Sequence, residues 1–186
     1  AYKSVVAADT VDTITGGAGD DTMSFHEDTI SATDVLSGGS GSDTLTIDAD
    51  GGDLTALTTT SMTKFETLNL IDDGIARALP VTLTAGFFQG ATGTVNAGTA
   101  KGVVTVNGAA ETLTAMTITT GVGADIVTGG TKGDTIKTGT GNDVIQGGPG
   151  ADILTGGAGS DDFVYTTANA LGAVVESNSA AADSIT

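Results

Sequence analysis

Large apolar residues recur at a fixed interval along the C-terminal third of this chain. Val127, Ile136, Ile145, Leu154 and Phe163 stand nine positions apart. Each follows an aspartate by two positions: Asp125, Asp134, Asp143, Asp152 and Asp161. The units read TGVGADIVT, GGTKGDTIK, TGTGNDVIQ, GGPGADILT and GGAGSDDFV. The first six residues of each predict a tight turn. The last three predict a short strand with one inward side chain, the large apolar one.

The same beat appears near the start. GGAGDDTMS (16–24) carries Asp21 and Met23, and GGSGSDTLT (38–46) carries Asp43 and Leu45. Weaker copies are AADTVDTIT, with Asp12 and Ile14, and TISATDVLS, with Asp34 and Leu36; the glycines are missing there. Asp21 and Asp34 are thirteen apart, so FHED (25–28) reads as a four-residue insertion.

Residues 47–119 have another texture. TLTI, ETLNLI, VTLT, GTVNAG, GVVTV and ETLTAMTIT alternate polar and apolar positions. Period two with β-branched residues predicts short half-buried strands. Gly, Asn-Gly and Asp-Gly steps between them are turn signals. TTTSMTKFETLNL has room for one helical turn at its start. The pattern divides the chain into an N-terminal repeat block (1–46), a Thr/Ala-rich segment (47–119), a C-terminal repeat block (120–165) and a tail (166–186).

A loop plus a strand is half a coil, so two units complete one turn and loops eighteen apart stack. Asp125, Asp143 and Asp161 then line one edge, Asp134 and Asp152 the other. The expected fold is all-β: a right-handed parallel β-roll or β-helix solenoid, with a small β-sandwich in the middle as the alternative. Its core should be thin and aliphatic, since only 4% of residues are aromatic.

G-G-x-G-x-D-x-U-x, with U apolar, is the pattern of a calcium-binding β-helix repeat. Calcium takes six to eight oxygen ligands from carboxylates and carbonyls. Glycine allows positive φ and brings carbonyls in at close range. The candidate metal set is therefore Asp125, Asp134, Asp143, Asp152 and Asp161 with Gly121, Gly123, Gly130, Gly139, Gly141, Gly148, Gly150, Gly157 and Gly159. From the N-terminal block come Asp12, Asp21, Asp34 and Asp43 with Gly17, Gly19, Gly39 and Gly41. Three inter-loop sites are expected in the C-terminal block: 125 with 143, 143 with 161, and 134 with 152. Lys132 stands where GGTKGDTIK should have glycine, so that loop should bind more weakly. Stacked carboxylates repel without metal, which couples folding to calcium. A flexible Gly/Asp linker would have no reason to keep an apolar residue in phase.

Composition narrows the function. The 186 residues hold 23 acidic and 6 basic side chains, a net charge of −17. Such a surface repels nucleic acid and anionic lipid and suits cations. Hydrophobic residues at 39% argue against disorder. Without cysteine, neither disulfide nor thiolate site can form. No apolar run is long enough for a membrane helix, so no membrane insertion is expected. AYKSVV lacks an initiator Met and a signal-peptide layout, which suggests a piece of something longer.

Other chemistry is thin. Asp48, Asp50 and Asp53 in DADGGD lack the twelfth-position glutamate of an EF-hand and read as an acidic turn. Asp72 and Asp73 read as turn residues before Gly74. His26, the only histidine, reads as a solvated loop residue. Neither a G-x-S-x-G elbow nor an HExxH helix is present, and no catalytic role is assigned. In TGTGND a threonine is expected to face outward, too isolated for an ice-binding array.

The units resemble the RTX repeats (repeats-in-toxin) of bacterial proteins exported by type I secretion. GGPGADILTGGAGSDDFVY is similar to the family's block with its closing Asp-x-Phe-Val-Tyr, and ADSIT (182–186) resembles the start of its capping strand. The resemblance implies an extracellular protein that folds outside the cell in calcium. SMTKFETLNLIDDG and the Thr/Ala-rich strands resemble the surface-layer proteins of Gram-negative bacteria such as Caulobacter, and related adhesins. It implies a structural segment whose partners are calcium, further copies of itself or a cell-surface glycan. A calcium-binding accessory module of an exported enzyme is the alternative, and an ice- or glycan-binding adhesin module a third reading.

Overall fold

In the computed structural model the described residues are 2–3, 11–49, 54, 57–72, 74–165 and 184–185. Asp50, Asp53 and Asp73 lie outside them. Every strand pairing among the described residues is parallel, and none of these residues is helical. One sheet has nine strands: β1 (Tyr2–Lys3), β3 (Thr22–His26), β5 (Thr44–Ala49), β8 (Thr67–Asp72), β10 (Thr92–Asn96), β12 (Ala115–Thr119), β14 (Thr135–Lys137), β16 (Ile153–Thr155) and β18 (Ser184–Ile185). A second has six: β6 (Leu57–Thr58), β9 (Leu79–Thr82), β11 (Val104–Asn107), β13 (Ile126–Thr128), β15 (Val144–Gln146) and β17 (Asp162–Phe163). A third is formed by β2 (Thr13–Ala18), β4 (Val35–Ser40) and β7 (Met62–Thr63). Neighbours within a sheet are not consecutive in sequence, which is the topology of a solenoid.

The repeat unit builds the C-terminal coils as its spacing predicts. Val127, Ile145 and Phe163 stand in register across β13, β15 and β17, eighteen positions apart, and Ile136 and Leu154 across β14 and β16. Val127, Ile136, Ile145 and Leu154 are buried and Phe163 is partly so. The residues before them face out: Ile126, Val144 and Ile153 are exposed.

Coil length changes elsewhere. In the N-terminal block Thr22 pairs with Thr44 and Thr13 with Val35, 22 positions on. The four residues beyond eighteen match the insertion expected at FHED and form a turn over residues 26–29 after β3. In the middle, Thr67 opposes Thr94 and Val81 opposes Val106, steps of 27 and 25. These strands continue the same sheets, so the middle is solenoid rather than sandwich. Longer coils enclose a wider section, which aliphatic residues alone do not fill. Phe65, Phe87 and Phe88 fill it, with ring centroids 5.5 and 4.9 Å apart. The aliphatic core expected from composition thus holds in the eighteen-residue coils from Val127 to Leu154, with the partly buried Phe163 at their end.

The helical turn expected in TTTSMTKFETLNL does not form. Met62 N–H donates to the Thr59 carbonyl at 3.0 Å, closing a turn into β7. Lys64, at φ 62°, then leaves the region a helix requires.

Candidate calcium-binding loops

The repeat loops stack in two columns, and glycine is required at their second and fourth positions. Gly148 shows both reasons. Its φ of 95° is strained for any L side chain, and a Cβ there would strike the Gly130 carbonyl of the preceding coil. Gly17, Gly19, Gly39, Gly41, Gly123, Gly139, Gly141, Gly150, Gly157 and Gly159 share the positive φ. Gly121 and Gly130 do not; a Cβ would meet the backbone of Ala100 in one case and Glu111 in the other. Their requirement is space. Lys132 is tolerated at a fourth position because its loop avoids positive φ and leaves the side chain exposed.

Each repeat aspartate turns its carboxylate into the stack. Asp125 N–H donates to Asp143 Oδ1 at 2.9 Å, Asp143 N–H to Asp161 Oδ1 at 3.1 Å, and Asp134 N–H to Asp152 Oδ1 at 2.7 Å. The N-terminal block repeats this: Asp12 N–H to Asp34 Oδ1 at 3.0 Å and Asp21 N–H to Asp43 Oδ1 at 2.8 Å. In Asp34, Asp43, Asp143, Asp152 and Asp161 one carboxylate oxygen thus stitches its coil to the coil before.

The second oxygen differs from site to site. Asp12, Asp21, Asp43, Asp125 and Asp143 each keep Oδ2 buried with no hydrogen bond. Asp34 Oδ2 accepts Ser31 N–H at 2.8 Å, and Asp134 Oδ2 accepts Gly130 N–H at 2.6 Å. A buried, unmet carboxylate oxygen is costly unless a cation answers it. These are hard oxygen donors beside glycine-lined backbone, and that donor set fits calcium.

Electrostatics agree with the geometry. Burial raises the Asp125 carboxyl above its ordinary value, the Asp143 charge adds to this, and the Val104 N–H at 2.8 Å opposes it. The nearby Thr120 hydroxyl also opposes it, although its proton is directed 2.8 Å to the Thr138 carbonyl. Asp134 is pushed up to about 6, by burial first and by the negative charge of Glu111; N–H donors from Met116 and Gly130 oppose this.

Several participants escaped the sequence reading. Glu66 accepts Asp43 N–H on Oε2 at 2.6 Å and extends the Asp21–Asp43 ladder by one coil. Its signal was Glu66-Thr67-Leu68, which copies Asp43-Thr44-Leu45 and Asp21-Thr22-Met23. Thr140 is the outward threonine expected in TGTGND, while Thr138 is buried, its hydroxyl donating to the Gly156 carbonyl at 3.0 Å. Asp72, expected in a turn, instead ends β8, and its carboxylate takes Gly74 N–H on Oδ1 at 3.0 Å and Lys101 N–H on Oδ2 at 2.6 Å. His26 is half-exposed, its Nδ1 3.1 Å from Glu27 Oε2 and 3.7 Å from Asp28 Oδ2.

Among the described residues no helix is long and apolar enough to cross a membrane. No curated protein and no solved structure was found to match the chain. One family model does match, described as RTX calcium-binding nonapeptide repeat (4 copies), over residues 9–29, 28–53 and 128–163. The matched segments hold the repeat aspartates from Asp12 to Asp43 and from Asp134 to Asp161. RTX nonapeptide repeats bind calcium, so the chain contains a calcium-binding module. These repeats are wound into a parallel β-solenoid, so the chain carries RTX-type calcium-binding repeats in the arrangement of a β-roll.

Proposed function

We propose that this chain is a calcium-dependent structural segment of a secreted bacterial surface-layer protein, in which calcium drives folding and then assembly. The observation that carries the calcium half is the ladder of buried Oδ2 atoms at Asp12, Asp21, Asp43, Asp125 and Asp143 without hydrogen bonds. Asp152 and Asp161 complete their columns. Asp34 and Asp134, whose oxygens all accept N–H groups, hold metal less well by themselves.

The assembly half is supported by the outer faces. Ile126 and Val144 are exposed and adjacent in register on the outside of the six-stranded sheet, an apolar strip suited to a second copy. The Thr/Ala-rich coils favour a surface-layer or adhesin-like role over the accessory roll of an exported enzyme, which has less use for a long mixed solenoid.

Circular dichroism and light scattering during a calcium titration test both halves, with magnesium as the control. The expected result is a β spectrum that appears with calcium, collapses on chelation and is followed by ordered scattering. A β spectrum that survives chelation would sink the metal-coupled half. Folding without assembly at any calcium level would favour the accessory-module reading.

A further inference from the structure

The loop before β12, residues 108–114, lies outside every matched repeat yet occupies a repeat loop's place in the stack. Thr131 N–H donates to the Glu111 carbonyl at 3.1 Å, and the Thr131 hydroxyl to the Thr112 carbonyl at 3.4 Å. A Cβ on Gly130 would come within 2.6 Å of the Glu111 carbonyl oxygen. Loops 108–114, 129–134 and 147–152 therefore form one column, with Glu111 at its N-terminal end.

Glu111 is fully buried, at 0% exposure. Its Oε1 accepts N–H groups from Leu113 at 2.9 Å and Thr114 at 3.2 Å, while Oε2 is buried with no hydrogen bond. Asp134 in the next loop is 1% exposed and feels the Glu111 charge. Each Asp134 oxygen accepts one N–H, which leaves a second lone pair on each. Lys132, the nearest basic residue in the loop, points to solvent. Two buried carboxylates share this end of the column, and one oxygen is unmet.

We propose that Glu111 and Asp134 form a calcium site at the junction between the Thr/Ala-rich coils and the C-terminal repeats. The ligands are hard oxygens from two stacked loops, and Glu111 takes the part of a repeat aspartate. It explains how the 129–134 loop, imperfect in sequence, keeps a metal: the second carboxylate comes from outside the repeats. The bound ion clamps β12 to β14 and so joins the two textures of the chain. The inference rests on the reading that the repeat loops hold calcium.

The test counts calcium ions on the whole 186-residue chain by native mass spectrometry in calcium acetate, with circular dichroism on the same samples. Glu111→Gln keeps the Oε1 acceptor and removes the anionic oxygen; Glu111→Met removes both. Each is expected to bind one ion fewer than wild type and to need several-fold more calcium to fold, while Asp143→Asn loses ions elsewhere. If wild type binds no calcium, the underlying reading fails. If wild type and Asp143→Asn behave as expected but both Glu111 variants keep the full ion count, or neither folds in saturating calcium, the junction site alone is overturned.

Discussion

Asp143 sits in the middle of its column and Asp161 at the end of the described part, so their substitutions should differ by a whole number. Asp143 accepts Asp125 N–H and donates its own N–H to Asp161, and so belongs to two stacked pairs; Asp161 belongs to one. Asparagine at either position keeps the Oδ1 acceptor and converts Oδ2 to an amide. The backbone stitching survives and only the anionic oxygen is lost. An ion held by the folded chain stabilises it by about 2.7 kcal/mol at a hundred times its dissociation constant. Asp143→Asn should therefore cost about 5 kcal/mol under those conditions and Asp161→Asn about 3 kcal/mol. With metal removed the order reverses. Coils spaced about 4.8 Å apart put neighbouring carboxylates at roughly that separation, where two charges repel by about 3 kcal/mol at an effective dielectric of 20. That is an upper bound, because Asp143 is the smallest of the causes acting on Asp125. Asp143→Asn should thus be weaker in calcium yet no weaker in chelator. Urea unfolding followed by circular dichroism at saturating calcium measures the first limb, and the β signal that each variant retains in EDTA relative to wild type measures the second. Equal losses for the two variants in calcium, or a further loss for Asp143→Asn in EDTA, would refute the stacked-pair reasoning.

Three further outcomes are expected. Gly148→Ala and Gly74→Ala both place a side chain at positive φ, for about 1–2 kcal/mol each. Only Gly148 faces a carbonyl of the previous coil, whereas a Cβ on Gly74 meets open space. The first should exceed the second in thermal denaturation, and a matched pair would argue against tight stacking. Ile145→Ala, at a fully buried position, should cost about 2–5 kcal/mol in urea titration with calcium present. Val144→Ala next to it, exposed, should cost under about 1 kcal/mol; similar costs would mean the inward and outward positions are misassigned. In the metal-free chain Asp134 is raised from 3.8 to about 6. Below about pH 4 folded and unfolded states are both protonated and the group is neutral to stability. As pH rises towards 6 only the folded state keeps the proton, and above 6 the penalty of the buried charge is complete, up to about 3 kcal/mol. The β signal in EDTA should therefore grow on acidification from pH 7 to pH 5, and its decline would count against burial as the cause.

The sequence disclosed most where one interval governs both backbone and side chains. Glycine, aspartate and the apolar residue keep the same phase from Asp125 to Phe163, so register, burial and pairing at eighteen could all be stated in advance. In the middle no residue marks the length of a corner. Steps of 27 at Thr67–Thr94 and 25 at Val81–Val106 depend on how far a loop travels before its strand finds a parallel neighbour. That is a tertiary property, and the aromatic filling of those coils follows from it. Glu66 and Glu111 were missed for a related reason. A glutamate reaches one methylene further than aspartate, so it serves a ladder position from a loop without the nine-residue frame. Asp34 and Asp134 stand in the repeat register, but that each of their oxygens already accepts one N–H is decided by the folded loops, not by the motif.

The changing coil length also has a mechanical consequence. Strands touch chiefly the strands one coil before and after them. A molecule pulled from its ends should therefore peel one coil at a time instead of failing all at once. An eighteen-residue coil releases at most about 60 Å of chain, and the 27-residue step in the middle about 90 Å. A stretching trace would then carry short, even steps for the C-terminal repeats and longer, uneven ones for the middle. The order in which they appear would read out, along a single molecule, which coils calcium holds most firmly.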